Sequence, residues 1–191
     1  MKNKFGIILI VRLKSKRLKK KAILKITKKN TIIEYLIKKI KKGFKNKKII
    51  LSTSNLKSDI PLVKIANKTK INSFKAEAID VLKRIYLTAK HYRLTTIYVC
   101  TGDNPLLDIK TGLKMIKIHN KGNYDFTYSK NMSLGTYGWI LKFKALEKII
   151  KIKKTKNTEI WGNFFIKKGC LNTFHIHFCI YLQLFLVFSL I

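Results

Sequence analysis

Three basic side chains lie close together near the start of the chain, at Arg12, Arg17 and Lys21. They follow directly on the apolar run of residues 5–11, which a single glycine interrupts. An apolar run of this length predicts a strand buried on both faces, as in a parallel sheet. Ligands of open α/β sheets bind beyond the carboxyl ends of such strands. The spacing therefore predicts a phosphate-binding loop, with an ordinary solvated basic loop as the alternative.

An aspartate, Asp103, stands at the end of another apolar run, in the sequence Gly-Asp-Asn-Pro at residues 102–105. Aspartate is scarce, with only five in the chain. A carboxylate in this place is suited to Mg²⁺, which usually shares one or two protein carboxylates with phosphate oxygens. The structural alternative is a turn or a helix cap, which Asp-Asn-Pro also favours. Together with the basic loop, Asp103 favours a nucleotide–metal site.

The elements that must position these residues follow a repeated strand–helix alternation. Predicted strands cover residues 48–53, 72–75, 95–101, 124–129 and 138–143, and predicted helices cover residues 31–43, 59–68, 77–92, 110–119 and 145–152. Thr31 and Glu34 form a capping box for the first helix. Asp80 and Arg84 lie one turn apart on the third predicted helix, where they can pair. The alternation predicts an α/β fold with a doubly wound, mostly parallel sheet.

The formal net charge of +33 is extreme, and lysine supplies 38 of the 42 basic residues. Such a charge attracts nucleic acid, anionic lipid or phosphorylated ligands. The lysines are spread along the chain, however, and occur with heavy use of isoleucine and asparagine. This pattern indicates a global bias, which we attribute to an A+T-rich coding genome. The charge is therefore poor support for nucleic-acid binding, and no specific nucleic-acid partner is expected.

The three cysteines, Cys100, Cys170 and Cys179, are odd in number and have no metal-ligand spacing. We expect reduced thiols, as in a cytoplasmic protein. The N-terminus also lacks a signal-peptide pattern, since lysines 19–21 interrupt the short apolar run. The sequence therefore predicts a cytoplasmic location.

Six short motifs resemble the cytidylyltransferases of spore-coat polysaccharide biosynthesis, relatives of the CMP-Kdo and CMP-acylneuraminate synthetases. The motifs are residues 12–21, 52–54, 80–84, 101–106, 134–139 and 158–162. The first corresponds to the family's Arg-x-x-Ser-x-Arg-Leu-Pro-Gly-Lys loop. The order and spacing of the motifs fit the family over residues 5–168.

The resemblance implies a Rossmann-like fold of the nucleotide-diphospho-sugar transferase type. It also implies transfer of CMP from CTP to a sugar hydroxyl, with release of pyrophosphate, for surface polysaccharide biosynthesis. The residues that it assigns are Arg12, Arg17 and Lys21 as catalytic groups, Ser15, Thr53, Asp80 and Arg84 as nucleotide contacts, Tyr137, Trp139 and Trp161 as sugar contacts, and Asp103 as the Mg²⁺ ligand. An ordinary aromatic core is the alternative for the three aromatic residues. CTP and a sugar are the expected partners, with a homodimer as a further expectation.

Three departures from the family pattern bear on activity. Lys19 and Lys20 replace the family's Pro-Gly, and this removes the glycine best able to let the backbone approach phosphate. Ile10 and Val11 replace the usual Gln-Ala before the first arginine. No aspartate or glutamate follows Glu159, so the family's second acidic motif is missing. The sequence leaves open whether turnover survives in a chain truncated in this way.

Residues 1–169 are predicted to form one nucleotidyltransferase-like domain, incomplete at its C-terminal end, and residues 170–191 an apolar tail without charged side chains. The tail could be out-of-frame sequence, or a strand and helix that complete the core. It could also be a membrane anchor over residues 178–191, although a spanning helix needs about 20 residues. His175, His177 and Cys179 alternate in the tail, but three ligands on one short strand make a weak metal site.

A second class of function remains open, that of a non-catalytic cationic protein bound to anionic membrane or RNA. Binding of CTP with Mg²⁺ that depends on Arg17 and Asp103 would favour the enzyme. Equal binding of any polyanion, with steep salt dependence, would favour the cationic protein.

Overall fold

The computed structural model describes residues 4–14, 18, 20–133, 135–166 and 171–176. A seven-stranded sheet lies at its centre, in the order β3-β2-β1-β4-β6-β5-β7. The strands are β1 (Phe5–Ile10), β2 (Lys48–Ser54), β3 (Asn72–Ala76), β4 (Thr96–Thr101), β5 (Phe126–Ser129), β6 (Trp139–Lys142) and β7 (Thr173–Ile176). The α-helices are α1 (Ile32–Gly43), α2 (Ile60–Lys68), α3 (Val81–His91), α4 (Ile109–Lys121), α5 (Phe143–Ile152) and α6 (Asn163–Ile166).

The sheet is parallel except at β6. Strand β1 pairs in parallel with β2 and β4, and β2 with β3. Strand β6 runs antiparallel to both of its neighbours, β4 and β5. The chain winds outward from β1 to β3 and then returns to β4 on the other side of β1. This reversal makes the β1/β4 boundary a topological switch point, where ligands of such sheets bind.

The two faces of the sheet are covered by different helices, as a doubly wound fold requires. Alternate side chains of β1 divide between the faces, with Ile7 and Leu9 in one apolar cluster and Ile8 and Ile10 in the other. Helices α1, α2 and α4 contribute to the first cluster, and α3, α5 and α6 to the second. The predicted α/β fold with a mostly parallel sheet is confirmed, and so is the burial of β1 on both faces.

The predicted helix over residues 77–92 begins later than expected, at Val81. Asp80 lies just outside it as the N-cap, and its side chain accepts a hydrogen bond from the backbone N–H of Lys83. A short polar side chain at this position satisfies an N–H group that has no partner within the helix. The capping box of Thr31 and Glu34, by contrast, occurs as predicted.

The start of the predicted tail joins the sheet. Residues Thr173–Ile176 form β7, which pairs in parallel with β5 and places Ile176 in the core. The interpretations of residues 177–191, as out-of-frame sequence, membrane anchor or metal ligands, lie outside the described residues, and so does Cys170. None of the helices in the described part of the chain is long and apolar enough to cross a membrane.

Candidate functional site

The carboxyl ends of the parallel strands β3, β2, β1 and β4 lie along one edge of the sheet, and we call these ends and the loops that follow them the site edge. Backbone hydrogen bonds join the loops just beyond the strands. Val11 N donates to Ser52 O at 3.1 Å, and Gly102 N donates to Ile10 O at 2.9 Å. The loop that carries Arg12 and the loop that carries Asp103 are therefore neighbours at the switch point.

A buried carboxylate, Asp59, ties the basic loop to β2. Its Oδ1 accepts the backbone N–H of Leu13 at 2.8 Å. Its Oδ2 accepts the Thr53 hydroxyl at 3.0 Å and the Ser54 N–H at 3.2 Å. The sequence predicts Asp59 only as a helix start, and the signal for its role is a strand that ends in hydroxyl residues shortly before this aspartate. Thr53 was predicted to contact the nucleotide. Its side chain is buried, and its hydroxyl donates a hydrogen bond to Asp59.

The guanidinium of Arg12 is held by two hydrogen bonds. Its Nη1 donates to the Ala78 carbonyl at 2.7 Å, and its Nη2 donates to Glu159 Oε1 at 2.6 Å. The Arg12 side chain is 24 % exposed and that of Glu159 is 59 % exposed. Glu159 was not among the predicted site residues, although it lies in the last family motif.

Arg84 lies buried beneath the same carbonyl. Its Nη1 donates to Glu77 O at 2.7 Å and to Ala78 O at 3.1 Å, while its Nε has no hydrogen-bond partner among the described residues. Burial lowers the pKa of Arg84 to about 10, and the positive charge of Arg12 adds to this effect. Two guanidinium groups therefore share one carbonyl oxygen, which concentrates positive charge at the site edge.

The predicted pairing of Asp80 with Arg84 is wrong. The Asp80 carboxylate accepts hydrogen bonds from Lys153 Nζ, from the Thr158 hydroxyl at 2.9 Å and from Lys83 N at 3.0 Å. The pairing fails because Asp80 is an N-cap rather than a residue on the helix face, so its side chain turns away from Arg84 towards residues 153–158. Burial raises the pKa of Asp80, but these three hydrogen bonds outweigh it and bring the pKa below its ordinary value.

Lys21 and Asp103 are brought together, as expected of a shared site. Lys21 Nζ lies 3.3 Å from Asp103 Oδ2, and both side chains are about two-fifths exposed. The residue before Lys21 has left-handed backbone, since Lys20 has φ 57° and ψ 21°. The family's glycine falls at Lys20, in a conformation that costs a lysine but not a glycine.

The three predicted sugar contacts form one row of rings. Tyr137 and Trp139 have ring centroids 5.5 Å apart, and Trp139 and Trp161 have centroids 5.0 Å apart. Tyr137 and Trp161 are buried in the core, as the structural alternative expected, whereas Trp139 is partly exposed. Trp139 is thus the member of the row that a ligand can reach.

Two predicted residues of the basic loop, Ser15 and Arg17, lie outside the described residues. The predicted Mg²⁺ ligand, Asp103, is described and offers one carboxylate. The described residues contain no cluster of three histidine, cysteine, aspartate or glutamate side chains that could hold a metal. This donor set does not fit a resident metal ion, but it fits a Mg²⁺ that arrives with phosphate oxygens and water as its other ligands.

Comparisons with known proteins point to one family. The family model described as cytidylyltransferase matches residues 6–178. An uncharacterized protein of Methanocaldococcus jannaschii is 38% identical over 149 residues, which cover 78% of this chain and 61% of that protein. The chain thus spans about three-fifths of the length of this relative.

Two solved structures share the fold. A cytidylyltransferase from Leptospira borgpetersenii has a TM-score of 0.84 at 24% identity, with 92% of this chain and 76% of that chain covered. The CMP:2-keto-3-deoxy-manno-octonic acid synthetase, solved in complex with CTP, has a TM-score of 0.70 at 8% identity, with 92% and 91% covered. The sheet is accordingly of the nucleotide-diphospho-sugar transferase, Rossmann-like type.

Proposed function

Because the chain belongs to the cytidylyltransferase family, we propose that it transfers CMP from CTP to a sugar hydroxyl. In this reaction the hydroxyl oxygen attacks the α-phosphorus of CTP, and the bond from that phosphorus to the bridging oxygen breaks. Pyrophosphate leaves with the bonding electrons, and the hydroxyl proton is lost to solvent. The products are a CMP-sugar and pyrophosphate, and we propose surface polysaccharide synthesis as their use.

The observation that carries the proposal is that the loops of Arg12 and Asp103 are neighbours at the switch point, with Lys21 Nζ 3.3 Å from Asp103 Oδ2. Transfer of a phosphoryl-type group depends mainly on positioning and on stabilising negative charge. Arg12 is held at two N–H groups, and a guanidinium has five in all. Its remaining donors have no hydrogen-bond partner among the described residues and can bind phosphate oxygens. Buried Arg84 adds positive charge behind Arg12 without needing to touch the nucleotide.

In this proposal Asp103 would bind the cation and Lys21 would bind the anionic triphosphate. Mg²⁺, when bound, supplies positive charge to the phosphate oxygens and orients them, and Asp103 is the residue that would hold it. Lys21 Nζ lies 3.3 Å from Asp103 Oδ2, and its ammonium group would bind the triphosphate. Trp139, the partly exposed ring of the row, offers a contact for the sugar.

The test is binding and turnover by the full chain. Titration calorimetry with CTP and Mg²⁺ should show binding that is tighter than for ATP, GTP or UTP. A coupled assay should show release of pyrophosphate when an acceptor sugar is added. Asp103→Asn should weaken Mg²⁺-dependent CTP binding about tenfold or more, since it removes the charged metal ligand.

Asp125→Asn is the matched control. Asp125 forms a similar lysine pair, 3.7 Å from Lys142 Nζ, but before β5 at the opposite edge of the sheet. This variant should bind CTP as the wild type does. Equal binding of all nucleotides and of heparin, lost steeply with salt and unchanged in Asp103→Asn, would contradict the proposal and favour a cationic binding protein.

A further inference from the structure

The turn that presents Glu159 to Arg12 is anchored by a buried network. Thr158 is fully buried, and its hydroxyl donates to Asp80 Oδ1 at 2.9 Å while it accepts the Leu82 N–H at 3.0 Å. Lys153 Nζ donates to Asp80 and also to Thr155 O, at 3.1 Å. Both ends of the segment from Lys153 to Thr158 are thus tied to Asp80, which fixes the position of the next residue.

Glu159 meets a guanidinium that is itself restrained. An exposed ion pair usually contributes little, because two long side chains must be ordered in water. Here the backbone of Glu159 is held through Thr158, and Arg12 is already held by the Ala78 carbonyl at 2.7 Å. Little further ordering is needed to form the 2.6 Å contact of Arg12 with Glu159.

The contact with Glu159 also counters the repulsion between Arg12 and Arg84. The guanidinium groups of Arg12 and Arg84 donate to the same carbonyl, that of Ala78, at 2.7 Å and 3.1 Å. Like charges at this separation push Arg12 outward into solvent. The carboxylate of Glu159 attracts the other end of the Arg12 guanidinium, and so keeps the group in one orientation.

We infer that Glu159 is a positioning residue, whose carboxylate holds Arg12 with its remaining N–H groups directed to the triphosphate. Asp80 acts indirectly, because it binds Thr158 and Thr158 fixes the position of Glu159. The inference rests on the proposed function for its effect on turnover, but the ordering of Arg12 is a property of the free protein. It gives Asp80 a role other than the nucleotide contact that the sequence predicted.

The test compares Glu159→Ala with Glu159→Gln in the full chain, with Glu147→Ala as control. Glu147 lies on α5, so its removal changes the net charge equally away from Arg12. Glu159→Ala should lower kcat/KM for CTP about tenfold or more, the effect of one charge-assisted hydrogen bond. Glu159→Gln should recover most of this loss, since its amide oxygen accepts the same hydrogen bond. Glu147→Ala should match the wild type.

A second readout needs no turnover. The chain has only four arginines, so the guanidinium ¹H–¹⁵N signals of Arg12 can be assigned by NMR. These signals should be protected from exchange in the wild type and in Glu159→Gln, and lost in Glu159→Ala. Arg12 signals that stay protected in Glu159→Ala would overturn the inference, whether or not the wild type consumes CTP.

Turnover gives two further outcomes that would overturn it. If Glu159→Gln is as impaired as Glu159→Ala although its Arg12 signals stay protected, Glu159 acts through its charge on the reaction and not by positioning Arg12. If Glu159→Ala binds CTP more tightly than the wild type, the carboxylate competes with phosphate. The proposed function fails separately, when the wild type neither binds CTP nor releases pyrophosphate.

Discussion

The site edge and a hollow of about 360 Å³ beside α1 and α2 are both basic. The hollow, which we call the lysine hollow, is lined by Lys25, Lys28, Lys29, Asn30, Thr31, Glu34, Lys64, Ile65 and Lys68. It is concave and strongly positive, and by shape and charge alone it resembles an anion site. At the site edge, by contrast, Arg12 and Arg84 are held in place by hydrogen bonds.

The difference lies in what the carboxylates do. At the site edge Asp59 and Asp80 are 1% exposed, and each joins chain segments that are distant in sequence. In the lysine hollow Glu34 caps its own helix and pairs with Lys68, whose side chain is 72% exposed. Among the described residues the other lysines of the hollow form no ion pair. In so lysine-rich a chain, buried carboxylates that order a basic loop mark a site better than positive charge does.

The largest expected effect separates the two regions by stability. Asp80→Ala leaves Lys153, whose side chain is 10% exposed, without its carboxylate. Breaking a buried ion pair by removing one partner costs about 3–5 kcal/mol in the free energy of unfolding. Urea denaturation measures this cost, with Lys68→Ala in the hollow as the control, expected below about 1 kcal/mol. Equal costs for the two variants would remove the distinction between the regions.

The next effect concerns ligand binding. Arg12→Ala should weaken CTP binding about thirtyfold, because hydrogen bonds from a charged donor contribute about 1.5–3 kcal/mol each. Lys64→Ala, which removes one positive charge from the lysine hollow, should change the affinity less than about twofold after salt screening. Calorimetry at physiological salt measures both. A larger loss in Lys64→Ala than in Arg12→Ala would place the nucleotide in the hollow.

A smaller effect, on the stability of the fold, should have opposite signs in the two regions. Lys20→Gly should stabilise the fold by about 1 kcal/mol, because Lys20 is in the left-handed region, with φ 57°. Lys29 in the hollow is not among the residues with positive φ, so Lys29→Gly should destabilise the fold by about 0.5–1 kcal/mol through backbone entropy. Thermal unfolding of both variants measures the difference. Two changes of the same sign would contradict this account of Lys20.

The fold was predictable because it follows from local patterns. The apolar run of β1, the capping box of α1 and the strand–helix alternation each act over a few residues, and each was confirmed. The antiparallel direction of β6 was not predicted, since it depends on pairing with β4 and β5 and not on its own short sequence.

The arrangement of the candidate site was predictable only where one residue type stood out. Arg12 and Asp103 are rare residues at strand ends, and the structure brings their loops together. The partners of Asp80 lie more than 70 positions away at Lys153 and Thr158, and no local spacing predicts such contacts. The local spacing suggested Arg84 instead, which was wrong.

The smallest expected effect is a pH dependence confined to the lysine hollow. The hydrogen bond from Lys68, followed by that from the Thr31 N–H, lowers the pKa of Glu34 from 4.5 to about 2. Because the folded pKa lies below the unfolded one, the stabilisation is complete above pH 4.5 and is lost as the pH falls towards 2. Lys68 is well exposed, so we expect its share to be below about 1 kcal/mol.

In Lys68→Ala the pKa of Glu34 should rise but stay below 4.5, because the N–H of Thr31 still donates to the carboxylate. Carboxyl NMR titration measures the pKa, and urea unfolding at pH 3 and pH 7 measures the stability. CTP affinity at pH 7 should be the same in Lys68→Ala as in the wild type, since the hydrogen bonds of the Glu34 carboxylate to described residues go to Thr31 and Lys68 and not to the site edge. A loss of CTP binding in this variant would mean that the hollow and the site edge act as one surface.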